Sequence, residues 1–155
     1  MKGNRLAATF LAIAAGIFCG TDAARGAISC TISAVGVSFG TYDVFSATPL
    51  DSTGSVTYTC LSINISDRIT IDLSRGGAPT FNPRQMRRSA ETLNYNLYLD
   101  AAHSRIWGDN TSGASRYGPA KPILTDTITI FGRMPAAQDA SAGSYADTVV
   151  ATINF

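Results

Sequence analysis

The side chains best suited to chemistry in this 155-residue chain are three cysteines, a single histidine and scattered carboxylates. A nucleophile needs a histidine base that a third group orients, but His103 stands in a turn-like run with no nucleophile motif beside it. A glycosidase needs two carboxylates at a set separation across a cleft. The candidates are isolated along the chain: Asp72, Glu91, Asp100, Asp109, Asp126 and Asp139. The sequence therefore predicts no enzyme and no cofactor.

Residues 1–26 have the layout of a secretory signal peptide. A positive start and the apolar stretch Leu6–Gly20 are followed by mostly small residues, which is typical of an export signal. We expect cleavage after Ala23 or after Gly26. The apolar stretch is short for a membrane span, so a membrane anchor is the weaker alternative.

Export changes the cysteine count, because cleavage would remove Cys19 and leave Cys30 and Cys60. An even pair in an exported chain predicts one disulfide, formed in an oxidising compartment. Closing a loop of about 30 residues would stabilise the fold by roughly 3–4 kcal/mol in the chain-entropy model. A zinc site needs three or four organised ligands, so these two cysteines and His103 predict no metal.

The composition excludes two further classes of protein. Lys and Arg number 12 and Asp and Glu number 11, so the net charge is +1 and no nucleic-acid partner is expected. Charged residues make up only 15% of the chain, too few for a solvated disordered segment. β-Branched and aromatic residues recur in short runs, which favours an all-β fold.

The region after the signal peptide reads as short strands separated by turn residues, and we expect one domain over residues 27–155. Alternating apolar faces predict a β-sandwich or barrel, and no segment has the apolar spacing of a helix. The predicted strands cover 27–33 with its continuation to Phe39, 56–60, 65–73, 92–100, a brief one at 106–107, 124–132 and 145–155. The predicted loops include 41–54, the breaker 76–79 and the polar run 110–122.

Two groups of side chains could meet a surface ligand. Arg84, Arg87 and Arg88 form a basic cluster that could contact an anionic surface, although a solvated loop or a charged edge strand is the preferred interpretation. Trp107 could provide a surface ligand contact for a sugar, although core packing is preferred for it and for Tyr95 and Tyr98.

Several stretches, taken in order, resemble the spore coat protein U domain, the family that includes subunits of Csu-type archaic chaperone–usher pili. The resemblance covers nearly the whole region after the signal peptide. It rests on Val37–Asp43 after the first cysteine, Thr53–Cys60 around the second, Leu93–Asp100, Trp107–Asp109, Phe131–Pro135 and Ala142–Val149.

The resemblance implies an incomplete immunoglobulin-like β-sandwich that lacks its final strand. Its partners would be a periplasmic pilus chaperone, an outer-membrane usher and other pilus subunits, and it would pass through the periplasm to a pilus on the cell surface. A chaperone, and later a neighbouring subunit, would lend the missing strand. Cys30 and Cys60 would join the first strand to the second. The residues expected to line the groove and contact the chaperone are Val149, Ala151, Ile153 and Phe155.

One departure from the family concerns the segment before Cys30. Cleavage after Ala23 or Gly26 would leave about three to six residues there, too few for a donor strand that rises about 3.3 Å per residue. We therefore expect a subunit that accepts a strand without donating one, at a fibre end such as the tip. Two options stay open: a secreted coat protein that never polymerises, or a first strand used differently. The alternative function is a secreted adhesin or glycan-binding module.

Overall fold

The computed structural model describes residues 26–155 of the chain, so the predicted signal peptide lies, apart from Gly26, outside the described residues. Every regular element in that range is a β-strand, and none of it forms a helix long and apolar enough to cross a membrane. The eight strands are β1 (Ser29–Val35), β2 (Leu50–Leu61), β3 (Ile69–Leu73), β4 (Arg84–Arg88), β5 (Glu91–Tyr98), β6 (Tyr117–Ala120), β7 (Thr125–Met134) and β8 (Ala151–Asn154).

The strands form two sheets that face each other across one core. The larger sheet has the order β1-β2-β7-β5-β4, and the smaller has the order β6-β3-β8. All of the paired strands run antiparallel. The fold is therefore an immunoglobulin-like β-sandwich, as the resemblance implies, whereas the strand pattern alone predicts a sandwich or a barrel.

Alternation along the strands builds the core between the sheets. Val56, Tyr58 and Cys60 on β2 are at most 1% exposed, and they face Ile69 and Ile71 from the smaller sheet, which are 0% exposed. β5 contributes three more core residues, Leu93, Tyr95 and Leu97. These are the inward positions that the period of two predicts.

Long-range pairing moves several boundaries from their predicted places. β2 begins at Leu50, inside the predicted loop 41–54, because its first residues pair with β7. β6 lies inside the predicted loop 110–122, where it pairs with β3. The predicted strand 65–73 begins only at Ile69, and Ile65 is 83% exposed. Within the predicted strand 145–155 a ladder forms only over β8, and Ala146 makes an isolated bridge to Arg87.

Arg84 corrects the prediction of a solvated basic cluster. Its side chain is 0% exposed, and burial lowers its pKa to about 10. The guanidinium donates to the carbonyl oxygens of Ser74 (2.9 Å) and Trp107 (2.6 Å) and to Oδ1 of Asn96 (2.8 Å). Arg87 and Arg88 do lie on an edge strand, β4, as predicted for a charged edge.

Trp107 and His103 are also more enclosed than a surface role requires. Trp107 is 0% exposed and its indole Nε1 donates to the carbonyl oxygen of Ile71 at 2.9 Å. This placement corrects the expectation of a surface ligand contact there and agrees with core packing. The side chain of His103, which the sequence places in a turn-like run, is only 9% exposed and lies edge-on to Tyr98 and Phe131.

Candidate functional site: an open side of the sandwich

One side of the sandwich is bordered by β1 of the larger sheet and β8 of the smaller sheet. Each is the last strand of its sheet, and each has one strand partner among residues 26–155. Cα atoms of β1 and β8 approach to within 8 Å of one another. Two sheet edges therefore face each other along this side.

Backbone groups on β8 point into this open side. The carbonyl oxygen of Val150 accepts the N–H of Ser74 at 2.9 Å, so the Val150 backbone faces β3. Backbone direction alternates along a strand, so Thr152 and Asn154 face β3 too. The residues of the opposite phase direct their N–H and C=O groups away from β3, where the described part of the chain offers no strand partner. They are Val149, Ala151, Ile153 and Phe155.

The same alternation applies to β1. Cys60 donates its N–H to the carbonyl oxygen of Leu124, toward the β7 side of β2. Cys30 and Cys60 are opposite each other with their Cα atoms 4.1 Å apart, the short separation of a pair that exchanges no backbone bonds. The N–H and C=O groups of Cys30, Ile32 and Ala34 therefore point to the open edge.

Side chains at the two edges face the core but are incompletely covered. Ala34 is opposite Val56 on the same face, yet Ala34 is exposed whereas Val56 is 0% exposed. On β8, Ile153 is only half-buried although its partner Ile71 is 0% exposed. Burial thus falls from the middle of the core toward this side.

A cavity of about 280 Å³ opens between the two edges. Its walls are the segments around Ala34–Val37 and Thr148–Ala151, and its floor is apolar. The floor consists of Val56, Leu73, Met86, Tyr95, Leu97 and Ile130. A second cavity, of about 750 Å³, adjoins it between residues 37–45 and 140–147, and the two share Val37, Phe39, Met86 and Asp147 as lining residues.

Two glycines let the chain after β1 cross inside the sandwich. A Cβ on Gly54 would lie 2.5 Å from the carbonyl oxygen of Val35, and one on Gly132 would lie 2.7 Å from Val37. Phe39 also packs on Gly132 and meets the ring of Tyr95 at a centroid distance of 6.0 Å. Any larger residue at these glycines would push the crossing segment, and with it one wall of the cavity, away from the sheet.

Asp147 fixes the opposite wall. Its Oδ2 accepts the hydroxyl of Tyr95 at 2.7 Å, and its Oδ1 accepts the N–H groups of Gly77 and Thr148, each at 2.8 Å. Tyr95 is 3% exposed, and burial, followed by the bond to Asp147, raises the pKa of its hydroxyl. A neutral tyrosine hydroxyl therefore donates to this carboxylate.

The sequence-predicted site residues are only partly brought together. The Cys30–Cys60 disulfide is formed, with an S–S distance of 2.05 Å, and joins β1 to β2. Val149, Ala151 and Ile153 pack against the core beside the cavity, whereas Phe155 is 56% exposed. Their contact with a chaperone stays a prediction.

Sequence reasoning missed Arg84 as a buried residue and Asp147 as a fixed one. Arg84 lies in a basic run whose composition indicates solvent exposure. Asp147 has the same alternation phase as Val149 and Ala151, so an acidic residue on an inward face was the signal that could have marked it. Within residues 26–155, no three His, Cys, Asp or Glu side chains are grouped to hold a metal ion.

Comparison with known proteins agrees with this architecture. A family model described as Spore Coat Protein U domain matches residues 21–152. Protein U of Myxococcus xanthus is 36% identical over 134 residues, covering 77% of this chain and 71% of that protein.

Among solved structures, a similar chain occurs in the CsuC–CsuE chaperone–tip adhesion subunit pre-assembly complex from archaic chaperone–usher Csu pili of Acinetobacter baumannii. The TM-score is 0.55 at 22% identity, over 83% of this chain and 40% of that chain. That likeness supports the sandwich fold. The family match over residues 21–152 shows that the chain belongs to the spore coat protein U domain family.

Proposed function

We propose that this chain is a non-catalytic structural subunit of a chaperone–usher surface pilus, and that its open side accepts a β-strand from a partner. A periplasmic chaperone would supply the strand first, and a neighbouring subunit would replace it at an outer-membrane usher. The chain would reach the cell surface through the periplasm. Family membership and the fold shared with a chain of a Csu pre-assembly complex support this proposal.

The observation that carries the proposal is that unpaired backbone groups and an uncovered apolar floor occur together. The outer edges of β1 and β8 have no strand partner in the described chain, and Ala34, Val35 and Ala151 of these strands line the 280 Å³ cavity, whose floor is formed by core side chains. An added strand satisfies both needs, because its backbone pairs with an edge and its alternate side chains fill the cavity. Each backbone bond contributes about 0.5–1.5 kcal/mol, and each buried Val side chain contributes about 1.5–3 kcal/mol.

A strand fused to the chain tests this proposal without a partner protein. We would attach a Gly-Ser linker and a strand of about eight alternating Val and Thr residues, roughly 26 Å long, after Phe155. The matched control places Pro at every second position of the strand, because Pro cannot donate a backbone hydrogen bond.

The Val-Thr strand is expected to raise Tm by roughly 5–10 °C, the shift that about 2 kcal/mol gives in a domain of this size. It should also slow amide exchange at Val149, Ala151 and Ile153, whereas the proline control should do neither. Equal Tm values for the unfused protein, the fused protein and the control would reject an acceptor site here.

Co-expression supplies the partner-level test. We expect the chain to accumulate poorly in the periplasm by itself and to be recovered in a stable complex with a chaperone of the chaperone–usher class. A chain that is equally stable and monomeric with and without that chaperone would count against a pilus subunit. The fibre-end position inferred from the short segment before Cys30 stays a prediction.

A further inference from the structure

The segment Tyr145–Val150 alternates like a strand but lies outside β8, which begins at Ala151. It is nevertheless held at both ends. Ala146 exchanges two backbone bonds with Arg87 of β4, at 2.8 and 3.2 Å. Val150 donates its N–H to Oγ of Ser74 and accepts the Ser74 N–H, both at 2.9 Å. The segment is thus extended beside the open edge without being part of a ladder there.

Asp147 lies between these two attachments, and its side chain holds the segment by further hydrogen bonds. Its carboxylate accepts hydrogen bonds from the Tyr95 hydroxyl on β5 and from the Gly77 N–H in the turn after β3. The turn is shaped around this carboxylate, because a Cβ on Gly76, where φ is +66°, would overlap it. Three parts of the fold therefore converge on one side chain that lines both cavities.

We propose that Asp147 is the positioning residue of the open edge: through Tyr95 and Gly77 it holds Val149 ready to pair with an incoming strand. Its attachment keeps the Val149 side chain toward the core and the Val149 backbone groups at the edge. When a strand docks, β8 lengthens toward Tyr145 with little further ordering. This inference rests on the proposed strand-accepting function.

The chemistry favours a carboxylate at this position. All three groups that meet Asp147 are donors, namely the Tyr95 hydroxyl and the N–H groups of Gly77 and Thr148. Two carboxylate oxygens accept all three, whereas an Asn amide would turn its own donor toward one of them. A segment held in its bound conformation loses less freedom on binding, so the partner strand binds more tightly.

The test uses the full chain with the fused Val-Thr strand and compares Tyr95→Phe with Tyr42→Phe. Tyr95→Phe removes the hydroxyl that reaches Asp147 and keeps the ring. Tyr42→Phe is the matched control, because the Tyr42 hydroxyl donates a 2.8 Å bond to the carbonyl oxygen of Pro135 and accepts the N–H of Gln138, and makes no bond to Asp147. Asp147→Ala is the second variant and removes the whole attachment. The readout is amide exchange at Val149 and Ile153, together with Tm.

We expect Tyr95→Phe to reduce the strand-induced protection of Val149 by roughly tenfold, the effect of about one hydrogen bond. Strand-induced protection of Ile153, whose neighbours Thr152 and Asn154 pair with β3, should stay within about twofold, and Asp147→Ala should give the larger loss at Val149. Tyr42→Phe should leave both residues protected as in the parent fusion.

Equal protection of Val149 in Tyr95→Phe, Asp147→Ala and the parent would overturn the role of Asp147 while leaving strand acceptance intact. A parallel loss at Val149 and Ile153 would also overturn it, because it would indicate general destabilisation. If the parent fusion itself gives no protection at Val149, Ala151 and Ile153, it is the strand-accepting function that fails.

Discussion

Two of the four sheet edges are closed and two are open. On β4, Arg87 exchanges backbone bonds in both directions with Ala146, so this edge is covered by the chain itself. On β6, the strand is only four residues long and contains Pro119, which has no N–H to offer. Short strands, prolines and charges are the usual protection against edge-to-edge association.

The edges of β1 and β8 lack the prolines and charges among these devices. Neither Ser29–Val35 nor Ala151–Asn154 contains a proline or a charged residue. These two edges face each other, whereas the protected ones border the opposite side of each sheet. The edges without proline, charge or a covering segment therefore lie on one side of the described sandwich, which is the distribution expected when that side has a partner strand.

The largest effect is expected from removing the disulfide that joins β1, at the open edge, to β2. Replacing Cys30 and Cys60 with Ser should lower the free energy of unfolding by about 3–4 kcal/mol, because β1 has only β2 as a strand partner in the described chain. Chemical denaturation of the double variant measures this loss. A variant as stable as the parent would mean that β1 is held by contacts other than the disulfide.

Arg84 gives the corresponding test on the closed side. Arg84→Met should cost about 2–3 kcal/mol, because the acceptors on Ser74, Asn96 and Trp107 lose their donor inside the protein. The fused strand should still stabilise this variant by the same amount as the parent, as thermal denaturation would show. If the fused strand no longer stabilised Arg84→Met, the two sides would be coupled and the comparison would fail.

Single proline substitutions at two neighbouring positions of β8 test its two edges separately. Ala151→Pro removes an N–H that points to the open side, whereas Thr152→Pro removes one that faces β3. In the unfused protein, Thr152→Pro should be less stable than Ala151→Pro by about 1–3 kcal/mol. Ala151→Pro should in turn abolish most of the stabilisation by the fused strand. Similar unfolding curves for both variants would contradict the backbone directions assigned to β8.

The smallest effect is expected on the protected edge. Arg88 pairs with Glu91 at 3.4 Å, and both side chains are over 40% exposed, so solvent screens the pair and it contributes little to stability. Arg88→Val should leave the protein monomeric in sedimentation, because Ala146 already covers this edge. Self-association of that variant would show that charge, and not the covering segment, protects β4.

The alternation of apolar and polar residues predicted which side chains form the core, but it could not predict which strands pair. Val56, Tyr58 and Cys60 lie inward as expected because each contacts the core through its own strand. The start of β2 at Leu50 was missed, since residues 51–54 have a turn-like composition and become a strand only by pairing with β7, some 80 positions away.

The candidate site was predictable to the same degree. The inward phase of Val149, Ala151 and Ile153 follows from the period of two, and all three pack against the core. The burial of Arg84 could not be predicted, because its acceptors come from Ser74, Asn96 and Trp107, which only the fold brings together. Asp147 depends in the same way on Tyr95 and Gly77.

Residue-resolved amide exchange on the protein with and without the fused strand tests the central claim most directly. In the unfused protein, the amides of Ala151 and Ile153 should exchange quickly while those of Thr152 and Asn154 exchange slowly, since only the latter pair faces β3. The fused strand should slow Ala151 and Ile153 selectively. Slow exchange at all four residues in the unfused protein would contradict an open edge, and with it the proposed acceptance of a partner strand.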